Sequence, residues 1–194
     1  MDRAEDRGAF QAGLDRTNSL LMAGAAEPSA APFFISYPLI ARIDFAKAGL
    51  RIRTKKKTFD EDARQLQNKA ENGPPGYDSI DWQTEMMQKS HYYKLMADGI
   101  LIGGVIVFLS ADKREGYVGR IFIDPLFQNR GYGQEVFRFL FTGYPTARKW
   151  GLDTPSWAAR NQYFYKKLGF VQTREITDSA SGDAFYEYEL IFPE

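Results

Sequence analysis

The run Gln128-Asn129-Arg130-Gly131-Tyr132-Gly133 sets two glycines and a cation just ahead of a stretch with helical periodicity. Glycines there let the backbone turn tightly, and they let an anion approach the N–H groups of the helix's first turn, which have no partner within the helix. Together with the helix dipole, those donors suit a pyrophosphate. The alternative reading of Gly-x-Gly at this place is a helix-entry turn without ligand. No Gly-Lys-Ser/Thr follows, so the run is not a P-loop. It also lacks the Gly-x-Gly-x-x-Gly and the repeated parallel β-α-β pattern of dinucleotide sites. Composition removes other chemistries. The chain has no cysteine and its one histidine is His91, which excludes disulfides, a cysteine nucleophile, thiolate zinc sites and multi-histidine metal centres. No metal is expected.

The elements that must position this turn are legible around it. Tyr117 to Ile123 alternates as a strand, and Asp124-Pro125 closes it. Tyr132, Val136, Phe137, Leu140 and Phe141 recur at helical spacing until Gly143 and Pro145. Upstream, Tyr92–Ala97 and Ile100–Leu109 are strand-like runs joined by Asp98-Gly99, the favoured pair for a two-residue type I′ hairpin. The second run is apolar almost throughout and is expected to be covered on both faces. Downstream, Trp150–Thr154 reads as a strand and Asn161–Leu168 as a helix with Gly169 at C′. Phe170–Glu175 and Phe185–Phe192 read as a final hairpin, with Tyr186, Tyr188, Leu190 and Phe192 on one face.

Earlier still, Leu50–Arg53 alternates as a strand, and Lys55-Lys56-Lys57 reads as its solvated end. Asp60-Glu61-Asp62 suits a helix N-terminus, stopped by Gly73-Pro74-Pro75. A second helix is expected from Ser79 or Asp81, with Trp82 and Met86 on its buried side. The succession predicts an α/β (α+β) domain with a mixed sheet and packed helices over residues 47–194. Residues 1–46 are expected to be a partly flexible N-terminal extension whose apolar Phe33–Ile40 segment packs on the domain or on a neighbouring subunit.

At 194 residues, with 25 basic against 25 acidic side chains, the chain has room for one domain and no basic excess for nucleic acid. No apolar run reaches the roughly 18 residues of a spanning helix, so no membrane insertion is expected. The apolar stretch Leu20–Ala26 is short and follows mixed charges, unlike a secretory signal. A cytoplasmic location is the expectation.

Two motifs in order carry a family resemblance. Ile121-Phe122-Ile123-Asp124-Pro125 followed by Gln128-x-x-Gly131-x-Gly133 resembles motif A of the GNAT N-acetyltransferase superfamily. Asn161-Gln162-Tyr163-Phe164-Tyr165-Lys166-Lys167-Leu168-Gly169-Phe170 is similar to its motif B. The resemblance implies a central, mostly antiparallel mixed sheet in which two parallel strands splay apart. It further implies acetyl-CoA as co-substrate. Backbone groups of Phe122 and Ile123 would pair with the pantetheine arm, and amides from Asn129 through Tyr132 to Gly133 would hold the pyrophosphate. Gln128 and Arg130 would stand at its edge. Asn161 would contact the pantetheine arm and Tyr165 the sulfur, with Phe164 and Leu168 reserved for packing.

Tyr165 then has a reasoned role. A thiol has pKa about 8.5 and a tyrosine about 10, so giving the phenolic proton to the departing thiolate is uphill by only about 2 kcal/mol. A backbone N–H at the end of the preceding strand, that of Phe122, is expected to meet the oxyanion. The general base stays open. The strand Tyr117-Val118-Gly119-Arg120-Ile121 carries no carboxylate, and Glu115, Glu85, Asp81, His91 and a water chain remain alternatives. The expected activity is direct acetyl transfer to a primary amine on a small molecule or peptide, with a homodimer compatible. The rival is a module that binds acyl-CoA without turnover.

Overall fold

The computed structural model describes residues 39–42, 56, 58–61, 63–65, 68, 70, 73–74, 76–178 and 182–193. Among the described residues, seven strands pair in the order β1-β2-β3-β4-β5-β7-β6. They are β1 (Leu39–Arg42), β2 (His91–Ala97), β3 (Ile100–Leu109), β4 (Glu115–Ile123), β5 (Lys149–Pro155), β6 (Val171–Thr177) and β7 (Ala184–Ile191). The longer helices are α1 (Ile80–Lys89), α2 (Tyr132–Gly143) and α3 (Ala159–Lys167). The mixed α/β character expected from the sequence is present. The described residues form two compact units, one of 39–107 with 120–145 and the other of 108–119 with 146–193, and β3 and β4 each continue from one into the other.

In the first unit β1, β2 and β3 are antiparallel. The hairpin between β2 and β3 turns at Asp98 and Gly99, with φ of 48° and 76°, the paired positive values that a type I′ turn needs. From Ile102 onward β3 is buried on both faces, as its apolar run predicts. Ser79 caps α1 by accepting the Trp82 N–H at 3.2 Å. Met86 and Gln83 are the buried side chains of α1, while Trp82 is half-buried and stacks on the Arg120 guanidinium, 4.0 Å from the ring centre. Gln83 tolerates burial because its amide oxygen accepts the Tyr92 hydroxyl at 2.6 Å.

In the second unit β4 and β5 run parallel over Glu115–Tyr117 against Lys149–Gly151. β5 then stays antiparallel to β7, and β7 to β6. Trp150, Leu152, Tyr188 and Phe170 form the core, with Trp150 fully buried.

The strand expected at Leu50–Arg53 and the stretch up to Pro32 lie outside the described residues. Lys56, expected near a strand end, is helical, and its ammonium reaches Asp60 at 2.7 Å. An i,i+4 ion pair of this kind supports helix, so the helical turn begins ahead of the acidic run. Leu39 and Ile40, the end of the apolar Phe33–Ile40 segment expected to pack on the domain or a neighbouring subunit, form with Ala41 and Arg42 a strand against β2.

Candidate active site

The turn into α2 is built by left-handed backbone. Asn129 has φ 60° and Gly131, the N-cap of α2, has φ 85°. Gly131 offers no side chain to cap the helix, and the first helical bond outside α2 runs from the Glu135 N–H to the Gly131 carbonyl at 3.2 Å. Among the described residues, the N–H groups of Asn129, Arg130, Gly131, Tyr132 and Gly133 have no protein acceptor outside helix and strand ladders. Asn129, Arg130 and Gly131 are exposed. Amides without acceptors at a helix start are donors of the kind that suits an anion.

Its flanks are held in place. The Arg130 guanidinium lies 5.5 Å from the centre of the Phe127 ring, which keeps a cation beside the amides. Asp124 stabilises the short 3-10 turn Pro125–Phe127 by accepting the Leu126 N–H at 3.0 Å. Gln128 was expected at the pyrophosphate edge; its side-chain amide donates to the Ile123 carbonyl at 2.9 Å, and Thr58 donates to the same oxygen at 3.1 Å. Gln128 therefore ties the turn to the end of β4.

Phe122 has a buried ring that meets Tyr92 edge-on. The Asp124 N–H donates to Ile102 on β3 at 2.7 Å. Backbone groups alternate between the two edges of a strand, so Phe122, two residues earlier, directs its N–H and carbonyl to the β3 edge as well. A Cβ on Gly103 of β3 would stand 2.2 Å from the Phe122 carbonyl oxygen, which fits that orientation. The amides of Ile121 and Ile123 belong to the opposite edge.

In the other unit, Tyr165 is the buried residue of α3. Its ring packs against Phe164, Phe170 and Tyr188, with centroids 5.5, 6.2 and 6.1 Å away. Burial, and secondarily Tyr186, raises the Tyr188 phenol above its usual range, so the wall beside Tyr165 stays uncharged. Phe164 and Leu168, expected to pack, are half-buried, as is Asn161 on the first turn of the helix. Gly169 has φ 94° and ends the helix as expected at C′.

The candidate bases are dispersed. Glu115, at the start of β4, is exposed. Asp81 is exposed, and so is Glu85, which pairs with Lys89 at 2.6 Å. His91 is half-buried with its ring 5.6 Å from that of Tyr144. A carboxylate that the sequence pattern does not single out is Asp153 on β5, which accepts a hydrogen bond from the Tyr117 hydroxyl of β4. Nothing in either strand's own pattern signals this pairing, because it depends on register between strands. Among the described residues no cluster of three or more His, Asp or Glu could hold a metal ion, and no helix is long and apolar enough to cross a membrane.

Comparison with known proteins follows the same outline. Residues 88–172 match the family model of the Acetyltransferase (GNAT) domain. No curated protein sequence matches the chain. The ribosomal-protein-S18-alanine N-acetyltransferase from Escherichia coli superposes with a TM-score of 0.65 at 14% identity, covering 81% of this chain and 95% of that one. A spermidine N-acetyltransferase chimera of SpeG from Vibrio cholerae and hSSAT gives 0.62 at 16%, covering 80% and 96%. The PaiA N-acetyltransferase from Thermoplasma acidophilum, solved with coenzyme A, gives 0.62 at 13%, covering 79% and 99%. At these identities the structural likeness establishes the fold.

Proposed function

We propose, for a chain that carries a GNAT acetyltransferase domain and is thereby an acyltransferase, that it moves acetyl from acetyl-CoA to a primary amine by direct attack on the thioester. The observation that carries this reading is the uncapped row of amides from Asn129 to Gly133 at the start of α2. Those amides, with Arg130 beside them, hold the pyrophosphate of acetyl-CoA as hydrogen-bond donors aimed at negative charge. Gln128 supports the turn from behind through Ile123. The pantetheine arm follows the end of β4, with Asn161 as a further contact.

Edge alternation in β4 changes one role. The Phe122 amide lies on the β3 edge, so the oxyanion donor passes to Ile121 or Ile123 on the opposite edge, while Phe122 fixes the strand through its buried ring. Tyr165 protonates the thiolate as the carbon–sulfur bond breaks. Its ring is held on several sides by aromatic neighbours, which presets the direction of the hydroxyl. The acceptor is an amine of a small molecule or a peptide. The relatives named for alanine of ribosomal protein S18 and for spermidine supply the two classes to try first.

The test is purified protein mixed with acetyl-CoA and a panel of spermidine, lysine and alanine-terminated peptides, with thiol release followed over time. Amine-dependent release is the expected result. Binding of acetyl-CoA with no release on any amine would assign the chain to a non-catalytic binding module, and no binding would remove the reading.

A further inference from the structure

One peptide group at the end of β4 is held from both sides. The bond between Ile123 and Asp124 is trans, so its carbonyl and its N–H point in opposite directions. The N–H reaches the Ile102 carbonyl of β3 at 2.7 Å. The carbonyl faces the other edge, where the Thr58 hydroxyl donates to it at 3.1 Å and the Gln128 side-chain amide at 2.9 Å. Two donors use both lone pairs of a carbonyl oxygen, so an amide of the pantetheine arm finds no acceptor there. What Ile123 offers on this edge is its own N–H.

Thr58 stands 65 residues ahead of Ile123 and is itself fixed, with its side chain buried. Beside it, Phe59 meets Tyr77 edge-on at 6.0 Å. Asp60 accepts from the Lys56 ammonium at 2.7 Å and from the Tyr77 hydroxyl at 3.1 Å. Burial, followed by Asp60, raises the Tyr77 phenol above its usual range, so this donor stays protonated. The helical residues around Thr58 are thereby anchored to the segment that leads into α1. All of these groups, and the turn from Asn129 to Gly133, lie in the same compact unit.

We infer that Thr58 is a positioning residue for acetyl transfer: by pinning the Ile123 carbonyl it aims the Ile123 N–H, on the same edge, at the thioester oxygen. The inference rests on the acetyltransferase reading, and it chooses Ile123 over Ile121 as the oxyanion donor. The N–H and carbonyl of one strand residue point to the same edge, so a fixed carbonyl leaves the N–H little room to swing. A donor held in advance stabilises an oxyanion more than one that must be turned into place. In the transfer the neutral amine nitrogen bonds the thioester carbon, and the carbonyl oxygen takes up negative charge against the Ile123 N–H. The carbonyl re-forms as the carbon–sulfur bond breaks. Tyr165 protonates the sulfur, and the proton shed by nitrogen returns to Tyr165 through solvent. Thr58 neither gains nor loses a proton; it acts through the Ile123–Asp124 peptide.

The experiment compares Thr58→Val, which keeps the shape and removes the hydroxyl, with Thr58→Ser, which keeps the hydroxyl, and with the unaltered protein. Two quantities are read: thiol release per folded protein with the amine acetylated fastest, and the infrared carbonyl band of bound acetyl-CoA carrying heavy carbon at the thioester carbonyl. Thr58→Val is expected to lower kcat by roughly ten- to a hundredfold, less than the cost of deleting an oxyanion donor outright, while the Kd for CoA stays within threefold. Its band is expected to move towards that of free acetyl-CoA, because a misaligned donor polarises the carbonyl less. Thr58→Ser is expected to restore both. Should Thr58→Val not fold, Thr58→Ala takes its place against Thr58→Ser. A merely structural tie lowers the melting temperature and leaves the kcat of the folded fraction and the band unchanged, and that outcome overturns the inference. A loss confined to CoA affinity, or a slower enzyme with an unmoved band, overturns it as well. If the unaltered protein releases no thiol with any amine, the transferase reading fails and this inference falls with it; an active enzyme that is indifferent to Thr58→Val sinks the inference alone.

Discussion

Gly131 and Gly99 offer a controlled pair for the phosphate turn. Both are left-handed, with φ of 85° and 76°, and a Cβ at either would meet no atom within 4 Å. Gly131→Val and Gly99→Val therefore carry similar backbone strain, about 1–2 kcal/mol for an L residue in this region. In a protein of this size that corresponds to a fall of roughly 2–8 °C in Tm. The two positions differ in one respect. Only at Gly131 does the new side chain stand among amides that lack acceptors. Charge-assisted bonds contribute about 1.5–3 kcal/mol each, so obstructing two of them costs about 3–6 kcal/mol of binding, roughly a hundredfold to ten-thousandfold in Kd. Calorimetric titration with CoA, beside thermal melts of both variants, separates strain from obstruction. Gly99→Val is expected to melt early and bind normally; Gly131→Val is expected to melt equally early and bind poorly. A folded Gly131→Val variant with CoA affinity within threefold of the unaltered protein would refute the placement of the diphosphate.

Tyr165→Phe keeps the packed ring and removes the acid, so kcat should fall by roughly ten- to a thousandfold with CoA affinity nearly intact, read by thiol release; an unchanged rate removes the acid role. Gly103→Ala places a methyl 2.2 Å from the Phe122 carbonyl oxygen, and denaturant melts should show a loss of about 1–3 kcal/mol as β3 and the end of β4 are forced apart. Gln128→Ala breaks the tie to Ile123, with an expected stability loss of about 0.5–1.5 kcal/mol and weaker CoA binding; a variant that binds CoA as before would show that the turn holds without it.

Short-range physics was legible in the sequence. The Asp98-Gly99 hairpin, the helix opened by Gly131 and the helix closed by Gly169 each follow from the φ values those residues tolerate, and each is found where the chain implies it. The burial of β3 follows from its unbroken apolar run. The family motifs belong to the same class of signal, since their glycines and aromatics act within a few residues of one another. Register between strands was not legible. Which edge of β4 carries the Phe122 amide depends on how Asp124 pairs with Ile102. The meeting of Tyr117 with Asp153 depends on where the β4–β5 ladder stops and on Gly151 lying under the ring. A strand's own alternation specifies its two faces but says nothing of its neighbour's offset, because that offset is decided by the packing of the whole sheet. Local backbone preference thus set the turn into α2, while only tertiary pairing brought the Asp153 carboxylate to the Tyr117 hydroxyl.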